Sequence, residues 1–302
     1  MNFPRDVRNQ YVLTGAATPD GATVQKAKHV NPATGEKFSL GIKIFDTHKI
    51  EDINSFSKQL QEAESFDHQN IVKVHCYFKT GDQLWVVMSP PGIPIRSIIR
   101  SYFQQGLPEK DVAYILKETL KALHYMHDKK NAACENLGAG CVNLDDECRV
   151  KIGISSITQD HRNNNVVTVP EFVADYGEGK DKATDTLMLG FLALELFYGE
   201  IPSCDEFMLS VADEFGETQP LRKNIGGLSS CFSTSTSTVE RRRRRRRMPA
   251  ELTEVVVACL CRDAEARPTT NLLMKYRLFQ KVSSGSRLLM KFRLFRKRFS
   301  GT

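Results

Sequence analysis

The sequence lacks the features that would place it in a membrane, in a secretory pathway or around a metal ion. No apolar stretch reaches the roughly 18 residues that a membrane-spanning helix needs, and the longest, Leu187 to Phe197, contains Glu195. The segment from Met1 to Asp6 does not have the charged-then-apolar layout of a signal peptide. The 8 cysteines follow no common zinc-site spacing, so they are expected to be free thiols. We therefore expect no transmembrane helix, no signal peptide and no metal site.

The composition is that of a folded protein with an uneven distribution of charge. Of the 302 residues, 41% are hydrophobic and 26% are charged, which suits one large or two modest domains. Residues 1–240 contain 24 Lys and Arg against 32 Asp and Glu, whereas residues 241–302 contain 18 against 4. The net charge of +6 therefore combines an acidic body with a strongly basic C-terminal fifth.

The first ninety residues have the pattern of a sheet with one helix. Phe38 to Phe45 is typical of a strand, and two apolar runs on either side of Lys79 to Asp82 predict a hairpin. Between these elements, apolar residues at helical spacing predict a helix whose buried face is Ile53, Phe56, Leu60 and Ala63. Ser89 to Gly92 then interrupts the pattern and predicts a linker.

The rest of the chain is mainly helical. Pro108 is predicted to start a helix whose apolar face is Val112, Ile115, Leu116, Leu120, Leu123 and Met126. Two short strands are expected around Asp145 to Glu147, and Thr186 to Tyr198 is apolar nearly all round, as in a helix at the centre of a domain. These elements predict an α+β fold with two parts.

Two low-complexity features interrupt the second half. A Ser/Thr-rich stretch runs into seven arginines, Arg241–Arg247, and residues 229–248 are predicted to be a disordered insertion. Near the end, Leu272 to Phe279 recurs as Leu288 to Phe295 with seven of eight positions identical. A local duplication of one terminal helical segment is the simplest interpretation, because two copies do not make a solenoid.

Several segments occur in the order and at the distances found in protein kinases. They are Gly-Ile-Lys-Ile at 41–44, Phe66 to Val72, Leu84 to Met88, Leu107 to Glu109 with Leu116 to His127, and Arg262 to Pro268. Over roughly residues 11–282 the chain resembles a protein kinase domain of the STE20/germinal-centre-kinase-like group. Some of its short sequence segments are similar to those of plant members.

The resemblance implies an α+β, two-lobed protein-kinase-like fold, with a small β-rich N-lobe and a larger, mainly helical C-lobe. It places the N-lobe at residues 1–88, the hinge at 89–92 and the C-lobe at 93–282. Residues 283–302 would form a basic tail that carries the second copy of the duplicated segment.

The resemblance also identifies the positions that would handle phosphate and metal. Lys43 is at the position of the nucleotide-site lysine, but its helix partner, a glutamate in active members, is Gln59. Glu135 occupies the position of the catalytic aspartate, where a solvated loop glutamate is the favoured interpretation. Gly140 and Ile154 replace the metal-binding asparagine and aspartate, and Leu137 replaces a phosphate-facing lysine.

Other parts of the predicted nucleotide site are changed as well. Ala17, Pro19 and Ala22 fall at the three positions of the glycine loop. With Met88 as gatekeeper, the backbone N–H that adenine would use belongs to Pro91, and proline has none. The framework positions instead match the family, which implies that Arg267 pairs with Glu171 of Pro170-Glu171 and that Asp185 organises the backbone of the catalytic loop after the helix that begins at Pro108.

The sequence therefore predicts a pseudokinase, an allosteric partner or scaffold of an active kinase, with ATP binding weak or absent and no cofactor or metal. The alternative is an active Ser/Thr kinase that uses Lys43 and Glu135 at an atypical site. A decayed gene product, or a misannotated exon boundary near the duplication, is a third possibility. We expect a cytoplasmic protein with a protein partner, while Arg241–Arg247 and the tail suit a polyanion or nuclear import.

Overall fold

A computed structural model gives the architecture of the protein. It describes residues 11–13, 24–30, 34–50, 52–134, 137–153, 181–201, 247–261 and 263–282. The chain divides into two compact units, one comprising residues 1–94 and 140–166 and the other comprising residues 95–139 and 167–302. The α+β fold class predicted from the sequence is confirmed.

The first unit is built on an antiparallel sheet of five strands in the order β1-β2-β3-β5-β4. The strands are β1 (Tyr11–Leu13), β2 (Gln25–Val30), β3 (Lys37–Asp46), β4 (Val74–Thr80) and β5 (Gln83–Met88). Side chains of β2 alternate between buried and exposed, as the period of two in a half-buried strand requires. One face of the sheet carries a continuous apolar cluster that consists of Tyr11, Ala27, Leu40, Ile42, Cys76, Phe78, Trp85 and Val87.

The opposite face of this sheet packs against helix α1 (Ile53–Ser65). Asp52 caps the helix, because its carboxylate accepts hydrogen bonds from the backbone N–H groups of Asn54 and Ser55. Leu60 and Ala63 are buried as predicted. The prediction that Ile53 belongs to the buried face is wrong: it is the first residue of the helix and 38% exposed.

A second sheet of the first unit contains the two short strands predicted around Asp145. Its order is β6 (Ile93–Pro94), β7 (Val142–Leu144) and β8 (Val150–Ile152). The turn between β7 and β8 is fixed by Asp145, whose carboxylate accepts from the backbone N–H groups of Glu147 and Arg149. The carboxylate of Asp145 therefore holds the turn that joins the two strands of this hairpin.

The second unit is helical. Its helices are α2 (Ile95–Tyr102), α3 (Glu109–Lys129), α4 (Lys182–Tyr198), α5 (Ala250–Cys259), α6 (Thr270–Leu273) and α7 (Arg277–Gln280). All six predicted apolar positions of α3 are buried, and Pro108 is its N-cap. Helix α4 is buried from Asp185 to Tyr198 and packs against both α3 and α5, which confirms its predicted central position.

No helix in the described ranges is both long and apolar enough to cross a membrane. Most of the predicted insertion, and the tail from residue 283, lie outside the described residues. At the end of the insertion, Met248 is buried.

Candidate functional site

Lys43, the predicted nucleotide-site lysine, lies in the middle of β3 opposite Val86 of β5. Its side chain is fully buried, and its Nζ lies 5.0 Å from the centre of the Phe45 ring, within the range of a cation–π contact. Phe45 in turn packs edge-on against Phe56 of α1, with ring centres 4.9 Å apart. Helix α1 therefore lies on the sheet face to which Lys43 belongs.

Gln59 lies in α1, as the resemblance requires of the residue that would pair with Lys43. It is half-buried and directly precedes the fully buried Leu60. The amide can form hydrogen bonds, but it carries no charge that could balance an ammonium group. The structure thus provides the helix of the family's ion pair without its carboxylate.

The space beside Gly41, two residues before Lys43, is filled by protein side chains. A methyl group added to Gly41 would lie 2.9 Å from Val24 Cγ1, 3.1 Å from Pro91 Cδ and 3.2 Å from Met88 Cγ. Carbon atoms in van der Waals contact are about 3.5–4.0 Å apart. A methyl group at Gly41 would therefore fit only if these side chains moved by a few tenths of an ångström.

The predicted hinge is held closely against β7. Gly92 has a φ of +90°, and a Cβ atom at this position would lie 2.2 Å from the carbonyl oxygen of Leu144. Only glycine combines this backbone conformation with so close an approach. Pro91 therefore precedes a glycine that lies against Leu144, and its own ring packs beside Gly41.

Asp185, predicted to organise the loop after α3, does so in the structure. Its side chain is 1% exposed, and Oδ2 lies 2.7 Å from both the Cys134 backbone N–H, which donates to it, and His127 Nε2. Glu135, the predicted degenerate catalytic position, is the next residue along the chain and lies outside the described residues. The anchor of the loop is thus present immediately before the position that would carry chemistry.

The remainder of that loop turns into the core. Leu137, at the position of a phosphate-facing lysine, is fully buried, as is Ala139, and Gly140 is buried next to them. A lysine at position 137 would bring a charge into an apolar environment. Leu137 is therefore packed inside the protein.

The strand that precedes Ile154 is well anchored. Ile152 N–H donates to the Asn70 carbonyl, Val72 N–H donates to the Ile152 carbonyl, and both distances are 2.8 Å. Gly153 N–H donates to the Cys141 carbonyl, also at 2.8 Å. Ile154 itself, the glycine-loop positions 17, 19 and 22, and Pro170-Glu171 lie outside the described residues.

Arg267 has two backbone partners in the helical unit. It is 6% exposed and donates from Nε to the Cys261 carbonyl at 2.8 Å and from Nη1 to the Ala183 carbonyl at 3.1 Å. Its predicted partner Glu171 is among the residues that are not described. Through these two hydrogen bonds the arginine connects α4 to the segment after α5.

Sequence reasoning missed the crowding at Gly41 and the contact of His127 with Asp185. A glycine inside a strand is a known signal of close approach by another part of the chain, so Gly41 could have been identified. The partner of His127 could not, because Asp185 is 58 residues away.

The chain matches known proteins over most of its length. The sequence profile of the family described as protein kinase domain matches residues 20–279. Myosin-IIIa of Homo sapiens is 27% identical over 277 residues, which cover 84% of this chain and 16% of that protein. The serine/threonine-protein kinase fray2 of Dictyostelium discoideum is 26% identical over 258 residues, 81% of this chain and 23% of the relative.

Germinal center kinase 3 of Caenorhabditis elegans is 24% identical over 268 residues, which make up 80% of this chain and 43% of that protein. This chain therefore spans less than half the length of each of these relatives.

Proposed function

The chain belongs to the protein kinase domain family, with STE20- and germinal-centre-kinase-like relatives, and from that premise we propose that it is a pseudokinase. In this proposal it performs no phosphoryl transfer and acts as an allosteric partner or scaffold of an active protein kinase. Residues that hold the fold together, such as Asp185 and Arg267, match the family. Apart from Lys43, the residues that would contact base, phosphate and metal do not.

The packing around Gly41 is the observation that carries this proposal. The resemblance places the edge of the adenine base beside Pro91, which has no N–H to donate. In the structure Pro91, Met88 and Val24 converge on Gly41, where a methyl group would already be too close to all three. A base that approached Pro91 would have to displace side chains that are packed against β3.

Substitutions elsewhere support the same conclusion. Gln59 offers Lys43 no charge, Leu137 is buried in the core, and Gly140 has no side chain to bind a metal ion. Phosphoryl transfer depends on positioned charges and magnesium for several kcal/mol of transition-state stabilisation. At Glu135 and Ile154 the sequence alone supports the proposal.

An active serine/threonine kinase is the second candidate. Two observations favour it: Lys43 is retained and buried in β3, and fray2 and Germinal center kinase 3 are named as kinases. Such an enzyme would use Lys43 with Glu135 as the proton acceptor. Magnesium-dependent nucleotide turnover distinguishes it from a pseudokinase.

A thermal-shift titration with ATP, with and without magnesium, tests the proposal. A ligand that binds only the folded state stabilises it by about 2.7 kcal/mol at 100 times its dissociation constant. For a chain of this size that corresponds to a rise in Tm of about 5 °C or more. We expect no such rise at about 1 mM ATP, because Pro91 has no N–H for the base and its ring packs against Gly41.

Lys43→Met is the matched control, since it removes the one nucleotide-site residue that the chain retains. Magnesium-dependent autophosphorylation that disappears in Lys43→Met would contradict the pseudokinase. A Tm increase with ATP but without turnover would contradict only the expectation that ATP binding is weak or absent.

The protein partner, the polyanion contact and the location are part of the same proposal. We expect a cytoplasmic protein that binds an active kinase, with nuclear import through Arg241–Arg247 as the alternative location. Binding of anionic vesicles or nucleic acid through these arginines and the tail should weaken steeply with salt. Salt-independent binding would point to apolar contacts of the tail.

A further inference from the structure

The duplicated segment has a well-defined place in the structure. Its first copy, Leu272 to Phe279, forms the end of α6 and most of α7; α6 contacts α3, and α7 contacts both α3 and α5. We propose that the groove between α3 and α5, here called the α3–α5 groove, binds either copy. In this proposal the second copy, Leu288 to Phe295 of the same chain, takes the place of the first.

Three side chains of the first copy are inserted into the core around the groove. Leu273 is fully buried, Leu278 is 4% exposed and Phe279 is 1% exposed. By contrast, Leu272 is 50% exposed, and Lys275 and Arg277 are exposed as well. The contacts of the copy with the protein are therefore concentrated in three residues.

The second copy retains all three of these buried residues. Sixteen positions further along the chain they are repeated without change as Leu289, Leu294 and Phe295. The single difference within the eight positions is Phe292 in place of Tyr276. Tyr276 is half-buried beside α5, where burial raises the pKa of its hydroxyl. Phenylalanine keeps the ring and places no hydroxyl in this environment.

Polar residues on both sides of the eight positions are repeated in the sequence as well. Thr270 is buried with its Oγ1 3.4 Å from His124 Nδ1, and its counterpart, Ser286, also has a hydroxyl. Lys281 pairs with Glu251 of α5, and its counterpart is Lys297. The repeat therefore contains the groups that contact the groove on both sides of the apolar residues.

The first copy has two advantages that keep it in the groove most of the time. Thr269 caps α6 by accepting a hydrogen bond from the Leu272 backbone N–H at 3.3 Å, whereas its counterpart is Gly285. The second copy must also loop out sixteen further residues, although the cost of closing a loop rises only with the logarithm of its length. The two registers thus differ by little.

An intramolecular exchange is favoured over an exchange between chains. The second copy is tethered to its own groove by a short segment, which gives an effective concentration on the order of millimolar. A second chain at ordinary protein concentrations cannot compete with this.

Hydrogen exchange measured by mass spectrometry on the full chain tests the proposal. Phe279→Ala should transfer amide protection from residues 272–279 to residues 288–295 and lower the Tm only in part. Phe295→Ala in the wild-type background should change neither quantity. The double variant should lose amide protection in both segments. Its Tm should fall further, by a total on the order of 10 °C relative to wild type. Leu272→Ala, at an exposed position, is the matched control and should have no effect.

Equal Tm values for Phe279→Ala and the double variant, with rapid exchange of residues 288–295 in both, would overturn the proposal. Where Phe279→Ala fails to fold, Phe279→Leu provides the same comparison with a smaller loss of volume. Protection of residues 288–295 that increases with protein concentration would overturn the intramolecular exchange.

Discussion

The ion pair between Arg96 of α2 and Glu195 of α4 permits a quantitative test of the helical unit. Arg96 Nε lies 2.6 Å from Glu195 Oε1, and Nη2 lies 2.9 Å from Oε2, so the contact is bidentate. The two side chains are only 7% and 9% exposed. Water therefore cannot replace either partner when the other is removed.

Glu195→Ala should destabilise the protein strongly, because it leaves a guanidinium group buried without its carboxylate. Breaking such a pair costs about 3–5 kcal/mol, which for a domain of this size corresponds to a Tm decrease on the order of 10 °C. Replacing both partners, as in Arg96→Met with Glu195→Leu, should restore most of the loss. The reason is that the buried charge has disappeared and apolar groups fill the space.

Thermal unfolding of the wild type, Arg96→Met, Glu195→Leu and the double variant, followed by circular dichroism, completes the cycle, and Glu195→Ala is measured beside them. The control is the exposed pair of Arg149 and Glu147, whose side chains are 61% and 50% exposed. Exposed pairs contribute about 0–1 kcal/mol, so Glu147→Ala should change the Tm by no more than a few degrees. If the Tm of Glu195→Ala fell by no more than that of Glu147→Ala, the argument from burial would be refuted.

Two further predictions concern a glycine and a histidine. Gly106→Ala should unfold the protein or lower its free energy of unfolding by more than about 4 kcal/mol, because a Cβ there would lie 1.8 Å from the Phe197 carbonyl oxygen. Gly81 also has a positive φ but nothing within 4 Å of an added Cβ, so Gly81→Ala should cost only about 1–2 kcal/mol in chemical denaturation. Equal losses of unfolding free energy would show that backbone conformation alone determines the cost. Burial, together with the nearby Lys73 ammonium, lowers the pKa of His75 to about 4. The unfolded state takes up the proton first, so the stability contributed by His75 is complete above pH 6.5 and is lost as the pH falls towards 4. His75→Gln should flatten the unfolding free energy over this range; an unchanged difference from wild type between pH 7 and 4 would contradict the shift. The comparison must be made with wild type, because burial raises the pKa of Asp111 to about 6 and that group acts in the opposite direction.

Local patterns in the sequence predicted the elements of the fold well. The six apolar residues of α3 are all buried, because a period of 3.6 residues places them on one face whatever that face contacts. The strands β4 and β5 were predicted because two apolar runs flank the turn at Lys79 to Asp82. Ile53 shares the helical spacing of Leu60 and Ala63 but is exposed at the first position of α1.

The candidate site was only partly predictable, because its decisive contacts join distant residues. Lys43 could be placed by the motif around it, and its burial in β3 follows. The meeting of Val24, Met88 and Pro91 over Gly41 depends on how β2, β3 and the hinge pack together. The bidentate contact of Arg96 with Glu195 spans 99 positions, and no local pattern indicates it.

The framework residues cannot decide between an active kinase and a pseudokinase. Asp185 binds the Cys134 N–H and lies beside His127, so it satisfies buried polar groups whether or not the next residue, Glu135, does chemistry. Removing it would destabilise either kind of protein. The positions that discriminate are those whose family role concerns the nucleotide and its metal ion, and among the described residues these include Gln59, Pro91, Leu137 and Gly140. A nucleotide measurement on the intact chain is therefore more decisive than any substitution in the framework.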